Sequence, residues 1–294
     1  MKILITGANG FIGKNICEFL CENHPDYGLL QPSHKDLELA DSEKVEEFLK
    51  KNRPDIVIHC AASGSKRHEL NNPAFLESNL RCFFNLARCS RYYKRMIFLG
   101  SGAEYDKSKA LSEVKESDFD RRIPKDPYGV YKYVCSKYIE ESRGNTCNRG
   151  NMVSLKLFGV FGKYEDKSRF ISSAIIKSVL GEPISMNKNV LFDYLYVVDL
   201  AKIIDHFITH EPKHRSYNVG SGKKTDLLSI AKEINRISGS SNRITVKEEG
   251  LGNEYSCNIQ RLSSEVKIEY TDMKVALKEL YRWYDCNRSG LSAD

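Results

Sequence analysis

The stretch DPYGVYKYVCSK, residues 126–137, contains two tyrosine–lysine pairs: Tyr128 with Lys132, and Tyr133 with Lys137. Positions i and i+4 of a helix share a face, so each pair sets a phenol beside an ammonium. Such a pair can exchange a proton with a substrate oxygen, because a neighbouring cation favours the phenolate. The two pairs are not equivalent. Pro127 marks a first helical turn, which places Tyr128 at the helix start. Tyr133 is rotated from it by about 140° and raised by about 7.5 Å. Ligands of open α/β sheets lie over the carboxyl ends of the strands, where the helices begin. Tyr128 and Lys132 are therefore the expected functional pair, and Tyr133 and Lys137 a surface or packing pair.

A second element that bears chemistry lies near residue 10. ITGANGFIGKNI follows an apolar, strand-like run and opens a helical pattern, with Gly7, Gly10 and Gly13 three apart and Phe11 and Ile12 between them. A glycine turn lets the main chain approach a pyrophosphate, whose charge then rests at the positive end of the helix. The segment after the second strand reads QPSHKDLEL, where Ser33, His34 and Lys35 precede the first carboxylate, Asp36. A hydroxyl and cationic groups suit a 2′-phosphate, so Ser33 and Lys35 are expected to bind NADP, with NAD as the alternative.

These groups need a scaffold. Nearly continuous Ile, Leu and Val runs at 2–6, 28–31, 56–61, 96–101 and 153–158 alternate with helical periods near 11–24, 43–52, 74–93 and 128–143. That pattern predicts a doubly wound parallel sheet of the Rossmann type, an α/β fold buried on both faces. Beyond residue 160 the pattern loosens. Strands are expected at 194–198 and 216–220, with helices near 168–180, 199–210, 226–238 and 272–285. The expected division is a dinucleotide-binding domain at 1–160, with 190–225 returning to it. A smaller, discontinuous substrate domain is expected at 161–189 and 226–294.

In this order, the glycine loop, HCAA after the third strand, a serine closing the fourth and the YxxxK helix resemble the extended short-chain dehydrogenase/reductases. Within that group lies the NAD-dependent epimerase/dehydratase family, which modifies nucleotide sugars. PYGVYK looks like the family's PYGxSK, FDYLYVVDLA like its RDFxxVxDxA, and YNVGSGKKTDLLSIAKEI like its YNxGxG segment. The resemblance implies Ser101, Tyr128 and Lys132 as the catalytic triad. Ser101 would donate to the substrate oxygen and Tyr128 would transfer the proton. Lys132 would lower the phenol's pKa and, with Tyr128, hold the nicotinamide ribose. It also implies cofactor contacts at Ala61, Ala62 and Asn79, and an adenine edge at Glu38 and Leu39. His59 receives no catalytic role.

The family's dehydratases carry an acid two places after the catalytic threonine, where Ala103 stands here; its fucose-type epimerase-reductases place a cysteine there and a histidine near Arg169. Both reactions are disfavoured. The expectation is NAD(P)-dependent reduction of a nucleotide-linked 4-keto-6-deoxy sugar, a step toward cell-surface polysaccharide precursors. Alternatives are a nucleotide-sugar 4-epimerase with retained NAD, and a non-catalytic NAD(P)-binding sensor or partner-binding protein. The family's sugar-diphosphate arginine aligns with Phe192, so Lys66, Arg67, Lys163 and Arg169 are named as substitute phosphate contacts.

Bulk properties exclude other classes. The chain has 294 residues, 41% hydrophobic and 29% charged, with a net charge of +6. Its basic residues fall in short groups separated by acids, which argues against nucleic acid as a partner. No apolar run reaches a membrane span, and no leader is evident. Nine cysteines without a CxxC indicate neither a disulfide framework nor a metal site. Cys17 and Cys21 read as two buried thiols on one helix face. The expected setting is a cytoplasmic homodimer.

Overall fold

The structure is a computed structural model that describes residues 1–64, 72–142 and 151–291. The first half runs β1 (Lys2–Thr6), α1 (Phe11–Asn23), β2 (Gly28–Leu30), α2 (Ser42–Asn52), β3 (Ile56–His59), α3 (Ala74–Arg88), β4 (Arg95–Ser101), β5 (Leu111–Val114) and α4 (Pro127–Glu141). It continues with β6 (Asn151–Leu157), β7 (Gly159–Phe161), α5 (Phe170–Leu180), β8 (Ile184–Asn189), β9 (Leu191–Tyr196), α6 (Val197–Thr209) and β10 (Ser216–Val219). The chain closes with β11 (Lys224–Asp226), α7 (Leu227–Ser238), β12 (Ile244–Leu251), β13 (Tyr255–Cys257), α8 (Gln260–Glu265) and α9 (Met273–Cys286).

Among the described residues, six strands pair in parallel in the order β2-β1-β3-β4-β6-β10. β3 and β4 are buried along their whole length, as apolar runs covered on both faces must be. One face packs on α1 and α6, through Ile16, Leu20, Ile203 and Phe207. The other packs on α2, α3 and α4, through Val45, Phe83, Leu86 and Tyr131. The strand order reverses between β1 and β3, and a crevice opens over the carboxyl ends there.

Helix starts are set by local chemistry. The Asp41 carboxylate accepts from the N–H groups of Glu43 and Lys44 at the head of α2, an N-cap. α4 begins at Pro127, and Asp126 caps it by accepting from the Gly129 N–H at 3.0 Å. This fixes Tyr128 in the first turn.

The second half adds two smaller sheets. β9 lies between β11, antiparallel, and β13, parallel, with β5 beyond β13; β7 also pairs β9, and β8 pairs β12. Three stretches cross the division expected from sequence. β9 pairs outside the parallel sheet, β5 joins the second sheet although it precedes residue 160, and Leu262 and Val266 belong to the core of the parallel sheet. No helix among the described residues is long and apolar enough to cross a membrane. Cys17 is buried as expected, but Cys21, one turn further on in the last turn of α1, is exposed.

Candidate active site

β1 ends at Thr6 and turns at Gly7, whose φ is +69°; a Cβ there would lie 2.7 Å from the Ala61 N. A Cβ on Gly13 would lie 2.2 Å from the Gly7 carbonyl oxygen. Glycine at these two positions lets the turn, α1 and the loop after β3 close on one another. The N-cap of α1 is Gly10, with no side chain capping the helix and no acid in its first turn. Its orphan N–H groups and positive helix end thus fit a pyrophosphate. Gly7, Gly10, Phe11, Ile12 and Gly13 all line a cleft of about 970 Å³.

Along the same cleft lie Glu38, Leu39, Ala61, Ala62 and Asn79. The Asn79 amide accepts from the Ser63 N–H at 2.9 Å and donates to the Ser63 carbonyl at 2.8 Å. Its visible work is to fix the loop that carries Ala61 and Ala62. The expectation for Ser33 and Lys35 is not met in place: neither lines the cleft. The Ser33 hydroxyl donates to Asp36 at 2.6 Å, so the carboxylate next in the loop takes it. His34 occupies the rim instead.

At the other end, Ser101 closes β4, and its Oγ accepts from the Ala103 N–H at 3.1 Å. Burial raises the pKa of the Tyr128 phenol, and the neighbouring Ser101 side chain opposes that rise. Lys132 is buried one turn further along α4, its Nζ donating to the Leu99 carbonyl at 2.6 Å and standing 5.8 Å from the Tyr128 ring centre. Burial pushes the ammonium down to about 8. Desolvation is the dominant influence on the Tyr128 phenol here. Tyr133 and Lys137 both bind the exposed Asp120, Lys137 at 2.5 Å. His59 is buried, its Nδ1 2.7 Å from the Thr6 hydroxyl, and burial drives its pKa down to about 3, so it is neutral.

The substrate end differs from expectation. Arg169 lines the cleft, as do Lys107, Lys109, Lys177 and Lys188. Lys163 does not; its carbonyl accepts from the Asn15 amide at 2.9 Å. Lys66 and Arg67 lie outside the described residues. Phe192, in place of the family's arginine, stacks on Tyr194 with ring centres 5.2 Å apart.

Three residues escaped the sequence reading. Tyr255, on β13, brings a second phenol to the cleft beside the turn after Ser101, where a Cβ on Gly102 would lie 2.5 Å from its oxygen. Glu165 lines the cleft, accepts from the Ser172 hydroxyl at 2.7 Å, and is pushed up to about 8 by burial. Glu104 is fully buried behind Ser101. No local pattern marks the first two, because only the packing of β13 and the loop after β7 brings them to the cleft. Glu104 had a signal: an acid that no short turn after a strand requires.

A model of the NAD dependent epimerase/dehydratase family matches residues 3–220. The GDP-L-colitose synthase of Yersinia pseudotuberculosis is 26% identical over 256 residues, covering 81% of this chain and 82% of its own. Two solved structures share the fold. The UDP-glucose 4-epimerase of Thermotoga maritima, with UDP-glucose, has a TM-score of 0.84 at 21% identity, covering 98% of this chain and 100% of its own. The GDP-mannoheptose C4 reductase of Campylobacter jejuni, with NADP bound, has a TM-score of 0.84 at 19% identity, covering 96% and 98%.

Proposed function

The chain belongs to the NAD-dependent epimerase/dehydratase family, and from that premise we propose that it reduces a nucleotide-linked 4-keto-6-deoxy sugar with NADPH. The meeting of the glycine turn with Ser101, Tyr128 and Lys132 at one cleft carries this reading. When bound, the reduced nicotinamide supplies the hydride. The chain's own residues manage the oxygen and its proton.

A buried phenol with a raised pKa keeps its proton at neutral pH, which suits it to give that proton to the oxygen of the reduced carbonyl. Ser101 accepts from the Ala103 N–H and so has its own hydroxyl proton to offer the same oxygen. As the phenolate forms, the Lys132 ammonium stabilises it. The ammonium would also hold the nicotinamide ribose.

The surroundings favour reduction over elimination. The position two residues after Ser101 is the apolar Ala103, and the next residue, Glu104, is buried outside the cleft lining. Neither the cysteine nor the histidine of the double epimerases is present, since Ala103 and Arg169 stand there. NADPH is supported by His34 at the adenosine rim and by the NADP named for the C4 reductase that shares this fold. The described cysteines are all unpaired, which suits a reducing compartment such as the cytoplasm.

The test mixes the protein with NADPH and 4-keto-6-deoxy sugars linked to GDP, UDP or dTDP, and follows absorbance at the reduced-nicotinamide band with product analysis. One NADPH consumed per alcohol formed is the expected result. A C4-hydroxy nucleotide sugar turned into its 4-epimer with no net change in coenzyme, while the keto sugars are left unreduced, would replace the reductase reading by the epimerase one. A wild-type chain as inert as Tyr128→Phe, with both binding coenzyme, would leave a non-catalytic role.

A further inference from the structure

Behind Ser101 lies a buried ionic chain that the proposed chemistry does not use. Glu104 and Lys156 are both fully buried, Lys156 standing in register with Gly100 across β4 and β6. Glu104 Oε1 accepts from the Ser101 N–H at 2.8 Å. Among the described residues its Oε2 has no hydrogen bond, and it lies 4.0 Å from the Lys156 Nζ. Lys156 in turn donates to Glu140 at 2.7 Å, and Glu140 is partly exposed.

A buried ion pair stabilises only when its geometry is close and its remaining lone pairs are satisfied. This pair is long and half-satisfied, so stability does not account for it. Its well-made contact is the one to Ser101. Space is kept for that contact, since a Cβ on Gly100 would lie 2.6 Å from Glu104 Oε1 and 2.7 Å from the Ser154 Oγ. The same short turn ties the Ser101 Oγ to the Ala103 N–H, so fixing the serine main chain also fixes the hydroxyl's lone pair and aims its proton.

We propose that Glu104 is a positioning residue, anchored by Lys156, that holds Ser101 in the orientation from which its hydroxyl meets Tyr128 and the substrate oxygen. The proposal rests on the reading of Ser101 as the oxygen's hydrogen-bond donor.

The test compares Glu104→Gln, which keeps an acceptor for the Ser101 N–H, with Glu104→Met, which does not. The first readout needs no substrate: the phenol of Tyr128 is titrated in coenzyme-loaded protein as the ultraviolet difference between each background and its Tyr128→Phe partner. The groups acting on this phenol include Ser101, Arg169, Glu104, Asp126 and, across the cleft, Tyr255. Both variants remove the Glu104 charge, which lowers the phenol's pKa; only Met also loosens Ser101, which raises it. Tyr128 should therefore titrate at higher pH in Met than in Gln. The second readout is turnover, where Met should lower kcat about 100-fold with KM little changed, as a misplacement near 1 Å does, and Gln should recover most of it. If Met does not fold, Gly100→Ala takes its place, because its methyl displaces the carboxyl. Equal titration in the two variants, or equal loss of kcat, overturns the proposal. A wild-type chain that turns over none of the keto sugars sinks the reductase reading instead, and the titration comparison still decides this one.

Discussion

Lys132→Met should stabilise the coenzyme-free protein while abolishing its turnover. The lysine is 4% exposed, and its pKa falls from 10.5 to about 8, with burial the main cause. At about 1.4 kcal/mol per pH unit, that fall represents on the order of 3 kcal/mol against the charged form well below pH 8. Two interactions offset part of this. Loss of the hydrogen bond leaves the Leu99 carbonyl unpaired, at a cost of about 1 kcal/mol. The ammonium also stands 4.7 Å from the Phe98 ring and 4.8 Å from that of Tyr131, and such contacts contribute about 1 kcal/mol. The net gain on removing the charge is about 1 kcal/mol, or a rise in Tm of about 2 °C for a chain of this length.

The pH dependence follows from the sign of the shift. The folded pKa lies below the unfolded one, so between pH 8 and 10.5 the unfolded chain binds more protons. Wild-type stability from this group therefore rises with pH through that window. The variant's advantage should hold below pH 8, shrink across the window, and reverse above it, where only the unpaired carbonyl remains. Thermal unfolding of both proteins without coenzyme, from pH 6 to 10.5, measures this directly. A variant less stable at pH 6, or an offset that does not move with pH, would refute the claim that a desolvated charge is held here at a cost to the fold.

Tyr128→Phe should lower kcat by about 10²- to 10⁴-fold, the span of a lost general acid, while coenzyme titrations still show binding. Gly7→Ala should lose coenzyme affinity and about 1–2 kcal/mol of stability in denaturant unfolding, since φ is +69° and the added methyl meets Ala61; wild-type affinity would mean the turn is not the pyrophosphate site. His34→Ala should reduce the ratio of kcat/KM for NADPH over NADH, and Lys35→Ala should leave it near wild type, because His34 lines the cleft and Lys35 does not. The opposite ranking would return the 2′-phosphate to the lysine.

The parallel sheet was legible because its signal is local. Runs such as KILIT and IVIH are apolar throughout, and the glycine turn and Pro127 punctuate them. The reading went astray where a run did not reveal which element owned it. YLYVV reads as a strand at 194–198, yet β9 ends at Tyr196 and α6 begins at Val197; a short apolar stretch does not by itself tell strand from helix. The helix expected at 74–93 ends at Arg88, followed by a separate turn at Ser90–Tyr92. β5, β11 and β13 escaped notice because LSEV, KTD and YSC lack any periodic apolar face. Their order comes from pairings such as Leu111 with Tyr255, far apart in the chain.

The same distinction sorts the candidate site. Ser101, Tyr128 and Lys132 sit at ends or first turns of elements that announce themselves, so their convergence could be argued before any coordinates. Tyr255 and Glu165 reach the cleft from a short strand and a loop whose placement depends on the second sheet. Lys156 is harder still: an alternating strand residue that looks solvent-facing is fully buried, because β6 is an interior strand covered on that side by α4 and the loop at Phe119. A charge in such a place is expensive, and one of its partners, Glu104, leads to the main chain of Ser101. Sequence periodicity finds what a fold buries for its own stability. Of the residues it failed to find here, Glu104, Lys156 and Tyr255 gather around Ser101 and the turn that follows it.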